Sequence, residues 1–217
     1  MILSPKTIQI LKNMSSINPS ILIKPGNVLS SIATNKTILA KATVAEEFDR
    51  QIPIYALNRF LSALSLFTNA DVTFDDKAAI IRGERSSITY HYSDPAVILA
   101  PPEKEIKLPS VDVDTVVTNK AMQDVLKAMN VLGLPELAIV GDGDSLTLQA
   151  LDVKNPSADT FSVDIGETDK TFRAIFRAEN IKIIDGDYQV QISSKGISKF
   201  IGSDVTYWIA IEQTSSF

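Results

Sequence analysis

Apolar and polar positions alternate along the chain with two periods, and the period marks each element. Ser4-Pro5 pairs a helix-capping residue with a proline suited to the first helical position. Beyond it, Ile10, Leu11, Met14 and Ile17 fall on one side of a 100° wheel, and Lys6, Gln9, Lys12, Asn13 and Ser16 on the other. The pattern predicts an amphipathic helix over 5–17. Strand signals follow at Ser20–Lys24 and Val28–Ala33, with Lys24-Pro25-Gly26-Asn27 reading as the hairpin turn between them. Thr37–Val44 and Gln51–Tyr55 read as further strands. Helical spacing returns over 55–67, with Leu57, Phe60, Leu61, Leu64 and Phe67 opposite Asn58, Arg59, Ser62 and Ser65. Asp71–Asp75, Ala78–Arg82 and Ser86–Tyr92 read as strands again.

Asp94-Pro95 breaks the pattern. Pro95, Pro101, Pro102 and Pro109 flank Glu103-Lys104-Glu105, and this composition predicts an extended connector over 95–110. It separates a domain at 1–94 from one at 111–217.

The second half repeats the first. Val111–Val117 reads as a strand and Thr118 as a cap. A helix follows over 119–132, with Ala121, Met122, Val125, Leu126, Met129 and Leu132 inward. Lys120, Gln123, Lys127 and Asn130 face outward, with Asp124 at the edge. Leu137–Val140 and Leu146–Leu151 flank Gly141-Asp142-Gly143-Asp144, which reads as a hairpin turn; it lacks the later acidic ligands of a calcium loop. Phe161–Ile165 and Thr171–Phe176 read as strands, 177–184 as a short helix, and Tyr188–Ile192, Ile197–Ile201 and Val205–Glu212 as the closing strands. Leu11-Lys12-Asn13-Met14 matches Leu126-Lys127-Ala128-Met129 at an offset of 115, and Val28 and Tyr90 match Leu146 and Trp208 at 118. A near-constant offset across helices and strands predicts a duplicated α+β unit, with two helices and antiparallel sheets in each copy.

Composition narrows the chemistry. The 217 residues include no Cys and one His, which excludes disulfide frameworks, Cys-ligated metal and thiol catalysis. That histidine, His91, sits in Tyr-His-Tyr and reads as a half-exposed strand residue. Glu46, Glu47 and Asp49 read as a solvated acidic edge. No phosphate loop, G-x-S-x-G or H-E-x-x-H occurs. The chain reads as a non-enzyme with no metal or cofactor. No apolar run reaches the length of a membrane span, which suits a cytosolic protein.

The net charge of −5 argues against nucleic acid at first sight. Its distribution reverses the inference. The four expected helices hold Lys6, Lys12, Arg59, Lys120, Lys127, Arg177 and Lys182 against Asp124 and Glu179, a balance of +5 that leaves −10 elsewhere. Glu favours helices as much as Lys does, so its near-absence there is informative. These seven cations are the expected phosphate-facing set, with Asn58 and Gln123 as neutral neighbours. No aromatic residue lies on the polar faces of the first and third helices, so base stacking is not expected. Sequence-independent attraction to duplex backbone fits better.

Leu11-Lys12-Asn13, Ile54-Tyr55, Leu57-Asn58, Phe60-Leu61, Leu64-Ser65-Leu66, Asp94-Pro95, Ala100-Pro101, Tyr207–Glu212 and Phe217 together resemble the DNA sliding clamps of T-even-type bacteriophages. The likeness covers nearly the whole length. The chain departs from it at Ala56, where those clamps tend to carry an acidic cap, and in somewhat shorter second-domain loops. The resemblance implies a homotrimeric ring of six similar domains around duplex DNA, with twelve helices lining the pore. It also implies an ATP-driven clamp loader, a tethered DNA polymerase, and a role with late-transcription factors and RNA polymerase in the cytoplasm of the infected bacterial host. Positional matching places a partner-peptide pocket at Ile38, Ala40, Val97, Leu99, Leu108 and Trp208. Ser87–Tyr92 and Thr160–Ile165 are the expected subunit edges. The alternative is a phage tail or capsid protein built from duplicated β-rich domains, which needs no basic helical face.

Overall fold

The computed structural model describes residues 1–104 and 106–217. It divides into two compact units, Met1–Lys104 and Glu105–Phe217. Glu105, within the expected connector, lies outside the described residues. The first unit runs α1 (Pro5–Ile17), β1 (Ile21–Ile23), β2 (Gly26–Ile32), β3 (Ile38–Phe48), β4 (Ile52–Ile54), α2 (Leu57–Leu64), β5 (Asp71–Phe74), β6 (Ala78–Arg82) and β7 (Ser87–His91). The second runs β8 (Val113–Val117), α3 (Asn119–Leu132), β9 (Glu136–Asp142), β10 (Ser145–Leu151), β11 (Phe161–Glu167), β12 (Thr171–Arg177), β13 (Tyr188–Ser193), β14 (Ile197–Ile201) and β15 (Val205–Ala210).

In the first unit, α1 starts where the Ser4 hydroxyl accepts the Thr7 N–H at 3.2 Å. Its buried face is Thr7, Ile10, Leu11, Met14 and Ile17. The chain then turns on Asn18, whose amide donates to the Ile32 carbonyl at 2.8 Å while its Oδ1 accepts the Ser20 N–H at 2.9 Å. The expected hairpin about Pro25-Gly26 is a corner instead. β1 pairs with β4, Ile21 opposite Ile54, and β2 pairs with β3. Gly26 takes a φ of 112° and the β2 register slips between Gly26 and Val28, so the backbone swings out of line with β1. A third sheet has the order β5-β6-β7.

The second helix is shorter than expected, 57–64 rather than 55–67. Ala56 offers no side chain to cap it. The Leu57 N–H is satisfied by the Pro19 carbonyl at 2.7 Å. Burial of Leu57, Phe60, Leu61 and Leu64 holds the helix in place. Ala56→Asp is therefore expected to stabilise the fold by about 1 kcal/mol. A rise in melting temperature of roughly 2–4 °C checks it.

In the second unit, α3 is capped by the Thr118 hydroxyl, which accepts the Ala121 N–H at 3.3 Å, and ends at Gly133 with φ 66°. It packs on β9, β10 and β11, in a sheet of order β11-β10-β9-β12. The Gly141–Asp144 segment is the β9–β10 hairpin turn, closed by Asp142, whose carboxylate accepts the Asp144 and Ser145 N–H groups. Strands β8, β13, β14 and β15 pair in that order.

The repeat is visible in burial. Thr7, Ile10 and Met14 are buried, as are Met122, Val125 and Met129, each 115 positions on. The bridge Ile2↔Asp71 recurs as Val117↔Tyr188. The copies differ between their fourth and fifth common strands. Sixteen positions separate β4 from β5 and hold α2, whereas ten separate β12 from β13. The helix expected over 177–184 is absent: Arg177 ends β12, and only a 3-10 turn, Ala178–Asn180, follows. Ten residues are too few for two turns of helix and both connections. β-branched Ile181, Ile183 and Ile184 also disfavour helix. The backbone here finds partners elsewhere. Ile184 N–H donates to the Tyr207 hydroxyl at 3.1 Å, and its carbonyl accepts the Tyr188 hydroxyl. Burial pushes the Tyr207 phenol up to about 12. The second domain thus carries one α-helix, not two.

Candidate nucleic-acid interface

The three helices keep the charge bias. They hold Lys6, Lys12, Arg59, Lys120 and Lys127 against Asp124, a balance of +4, and the remainder of the chain carries −9. All five cations are exposed. Lys6 and Lys12 lie opposite the buried face of α1, which has no acid, and Arg59 lies on the outer face of α2. Lys12, Arg59 and Lys127 form no ion pair among the described residues.

The other cations differ. Lys120 Nζ lies 2.8 Å from Asp124 one helical turn on. Arg177 is a strand residue whose guanidinium lies 3.0 Å from Glu212 and 3.6 Å from Glu179. The hydrogen bond that Arg177 donates to Glu212, then the charge of Glu212, with smaller contributions from Glu179, raise the Arg177 pKa. Lys182 is half-buried beyond the 3-10 turn. Neither Arg177 nor Lys182 sits on a helix face, because that helix does not form.

Both long helices receive a carboxylate at their N-terminus, where the dipole favours negative charge. On α1 it is Glu46, which accepts from the Ser4 N–H and the Thr7 hydroxyl. The acidic edge read at Glu46, Glu47 and Asp49 is therefore divided. Glu46 is half-buried against the helix, Asp49 pairs with Arg50 at 3.0 Å, and Glu47 is exposed. The strand reads only to Val44 in the sequence, whereas β3 runs to Phe48 and carries Glu46 to the start of α1. Burial raises the Glu46 pKa, but the bonds from Ser4 and Thr7 outweigh it and hold the group below its ordinary 4.5. Its stabilising effect is present above that pH and is lost as the pH falls through the lowered value. Below pH 4.5, Glu46→Gln should therefore flatten the acid-induced fall of the melting temperature relative to the unmodified chain.

The residues matched to a peptide pocket have mixed environments. Ile38 and Ala40 are buried in β3. Val97 is 58% exposed and Leu99 38%, both in the connector. Leu108 is half-buried. Trp208 is buried in β15; its Nε1 donates to the Ile106 carbonyl at 3.1 Å, and Lys199 Nζ sits 5.5 Å from its ring. The two expected edges are edge strands: β7 closes one sheet and β11 another. Every residue of both is exposed or half-exposed. Beside β7, a groove is lined by Tyr55, Arg59, Ala63, Leu66, Ile88 and Tyr90. Among the described residues no cluster of His, Asp or Glu could hold a metal, and no helix is long and apolar enough to cross a membrane.

A duplicated α+β unit with basic helices on antiparallel sheets defines a DNA clamp, and solved structures share the fold. The Helicobacter pylori beta clamp matches with a TM-score of 0.73 at 13% identity, over 98% of this chain and 65% of that one. The PCNA2–PCNA3 complex of Sulfolobus tokodaii matches at 0.67 and 13%, over 98% of each chain. The family described as DNA polymerase processivity factor matches residues 4–100, and that of the gp45 sliding clamp, C terminal, matches 114–213. The sliding clamp of Vibrio phage KVP40 is 32% identical over 217 residues, 97% of this chain and 98% of the relative. That of Enterobacteria phage T4 is 30% identical over 224 residues, with 99% and 98% covered. The chain belongs to the sliding-clamp family of T4-like phages, the DNA polymerase processivity factors. The tail or capsid alternative finds no support among these relatives.

Proposed function

We propose that three copies of this chain close head to tail into a ring, β7 of one against β11 of the next, with the basic helices turned to the duplex. The observation that carries this reading is the separation of charge: +4 on three helices of a chain whose net charge is −5. Exposed lysines and an arginine attract phosphates without reading bases, and their long side chains exchange partners as the ring moves. The acidic remainder keeps other surfaces off the DNA. With one helix in the second domain, such a ring presents nine helices to its pore and not twelve.

The protein acts by topology and without catalysis, in the cytoplasm of the infected host. An ATP-driven loader opens the ring onto primed DNA. The polymerase, and at late promoters transcription factors and RNA polymerase, hold it through apolar tails. Val97 and Leu99, exposed on the connector, are the apolar side chains available to such a tail. The test uses loader, ATP and nicked circular DNA. The clamp should remain on the circle and leave when the circle is cut. Equal retention on linear DNA with free ends would refute the ring.

A further inference from the structure

The two domains do not offer the duplex the same charge. In the first, α1 and α2 carry Lys6, Lys12 and Arg59 and no acid, and the carboxylate that caps α1 meets the helix at Ser4 and at buried Thr7, away from Lys12. In the second, the acids lie on the polar side. Asp124 takes Lys120, Asp185 accepts from Gln123 Nε2 at 2.6 Å, and Asp187 accepts the Asn119 N–H at 2.7 Å. Gln123 shares the outward face with Lys120 and Lys127. Asp185 and Asp187 belong to the ten-residue segment that stands where the first domain has α2. The shorter segment that stands in place of α2 thus sets carboxylates beside α3.

We propose that the domains hold DNA unequally: Lys12 and Arg59 of the first domain and Lys127 of the second carry the phosphate contacts, while Lys120 and Arg177 carry almost none. This rests on the clamp reading above. A cation paired with a carboxylate at 2.8–3.0 Å presents less net charge to a phosphate and gathers fewer counterions to release on binding. Lys127, nearly two turns beyond Lys120, has no such partner among the described residues. Asp187 satisfies the Asn119 N–H at the start of α3, and Asp185 holds the Gln123 amide one turn on. Such weakened attraction in the second domain suits a ring that must track DNA without gripping it.

The test is the affinity of the full-length clamp for a short fluorescent duplex at low salt, followed by anisotropy as salt is raised. Lys12→Gln, Arg59→Gln and Lys127→Gln should each lower the slope of log K against log salt by about 1. Lys120→Gln and Arg177→Gln should leave it nearly unchanged. Asp124→Asn and Asp185→Asn, which keep a hydrogen-bonding oxygen, should raise low-salt affinity severalfold. Equal loss from Lys120→Gln and Lys12→Gln would overturn the inequality and leave the basic-helix reading standing. No change from any of the five cation substitutions would overturn both. Unchanged melting temperatures confirm that each exposed substitution tests charge and not folding.

Discussion

Val163→Asp, in the middle of β11, should reduce the assembly to single chains of 23.7 kDa. Along β11, Phe161, Val163 and Ile165 are half-buried, while Ser162, Asp164 and Gly166 are exposed. The half-buried row is the face that a neighbouring strand can bury further. Its counterpart on β7 is Ile88 and Tyr90, between exposed Ser87, Thr89 and His91. A carboxylate placed in that row loses water on association and gains no partner, which costs several kcal/mol at each of three contacts. Ser162→Asp, on the opposite row, should leave the assembly intact. Ile88→Asp should break it from the other side. In the head-to-tail contact proposed above, each variant keeps one sound edge. A mixture of Val163→Asp and Ile88→Asp chains should form dimers that neither grow nor close. Native mass at micromolar concentration reads all four cases. A trimer from Val163→Asp would remove β11 from the interface.

The parts of the fold written most clearly in the sequence are those with local signals. Ser4-Pro5 and Thr118 begin α1 and α3 because their hydroxyls reach N–H groups three residues on, a contact that needs no tertiary context. The buried faces follow from helical spacing alone. The duplication is legible for the same reason, since matched cores demand matched periods. Other features depend on pairing at a distance. Whether β1 turns back on β2 or departs to β4 depends on the Gly26 corner and on Ile54, thirty-three positions from Ile21. The missing fourth helix was legible in principle, as a segment six residues shorter than its counterpart, but apolar spacing at Ile181 and Ile184 imitates one helical turn. The helix-facing cations were legible by charge, because acids are scarce on α1 and α2. What the sequence hid was the polar partners that lie far along the chain. Arg177 meets Glu212 across thirty-five positions, and Gln123 meets Asp185 across sixty-two.

Phe60→Ala should cost about 3–5 kcal/mol of stability. Phe60 is fully buried, with its ring 5.3 Å from Tyr90 in an edge-on arrangement and 6.4 Å from Phe74. An eight-residue helix has little stability of its own, and α2 has no side-chain cap. Its place therefore depends on the rows that it buries, and Phe60 is the largest member. The loss is functional as well as thermodynamic. Phe60 neighbours Arg59, an exposed cation of α2, and its ring supports Tyr90 on the β7 edge. The Tyr90 hydroxyl in turn donates to the Ala56 carbonyl at 3.1 Å, at the start of the same helix. A cavity at Phe60 loosens both surfaces together. Phe60→Leu, which keeps most of the apolar volume, should lose less stability and retain assembly. Leu66 lies just beyond the helix and is 73% exposed, so Leu66→Ala should change stability by less than about 0.5 kcal/mol. Urea unfolding separates the three, and native mass shows whether assembly follows stability. An intact trimer from Phe60→Ala at full stability would mean that α2 is held by contacts other than its buried face.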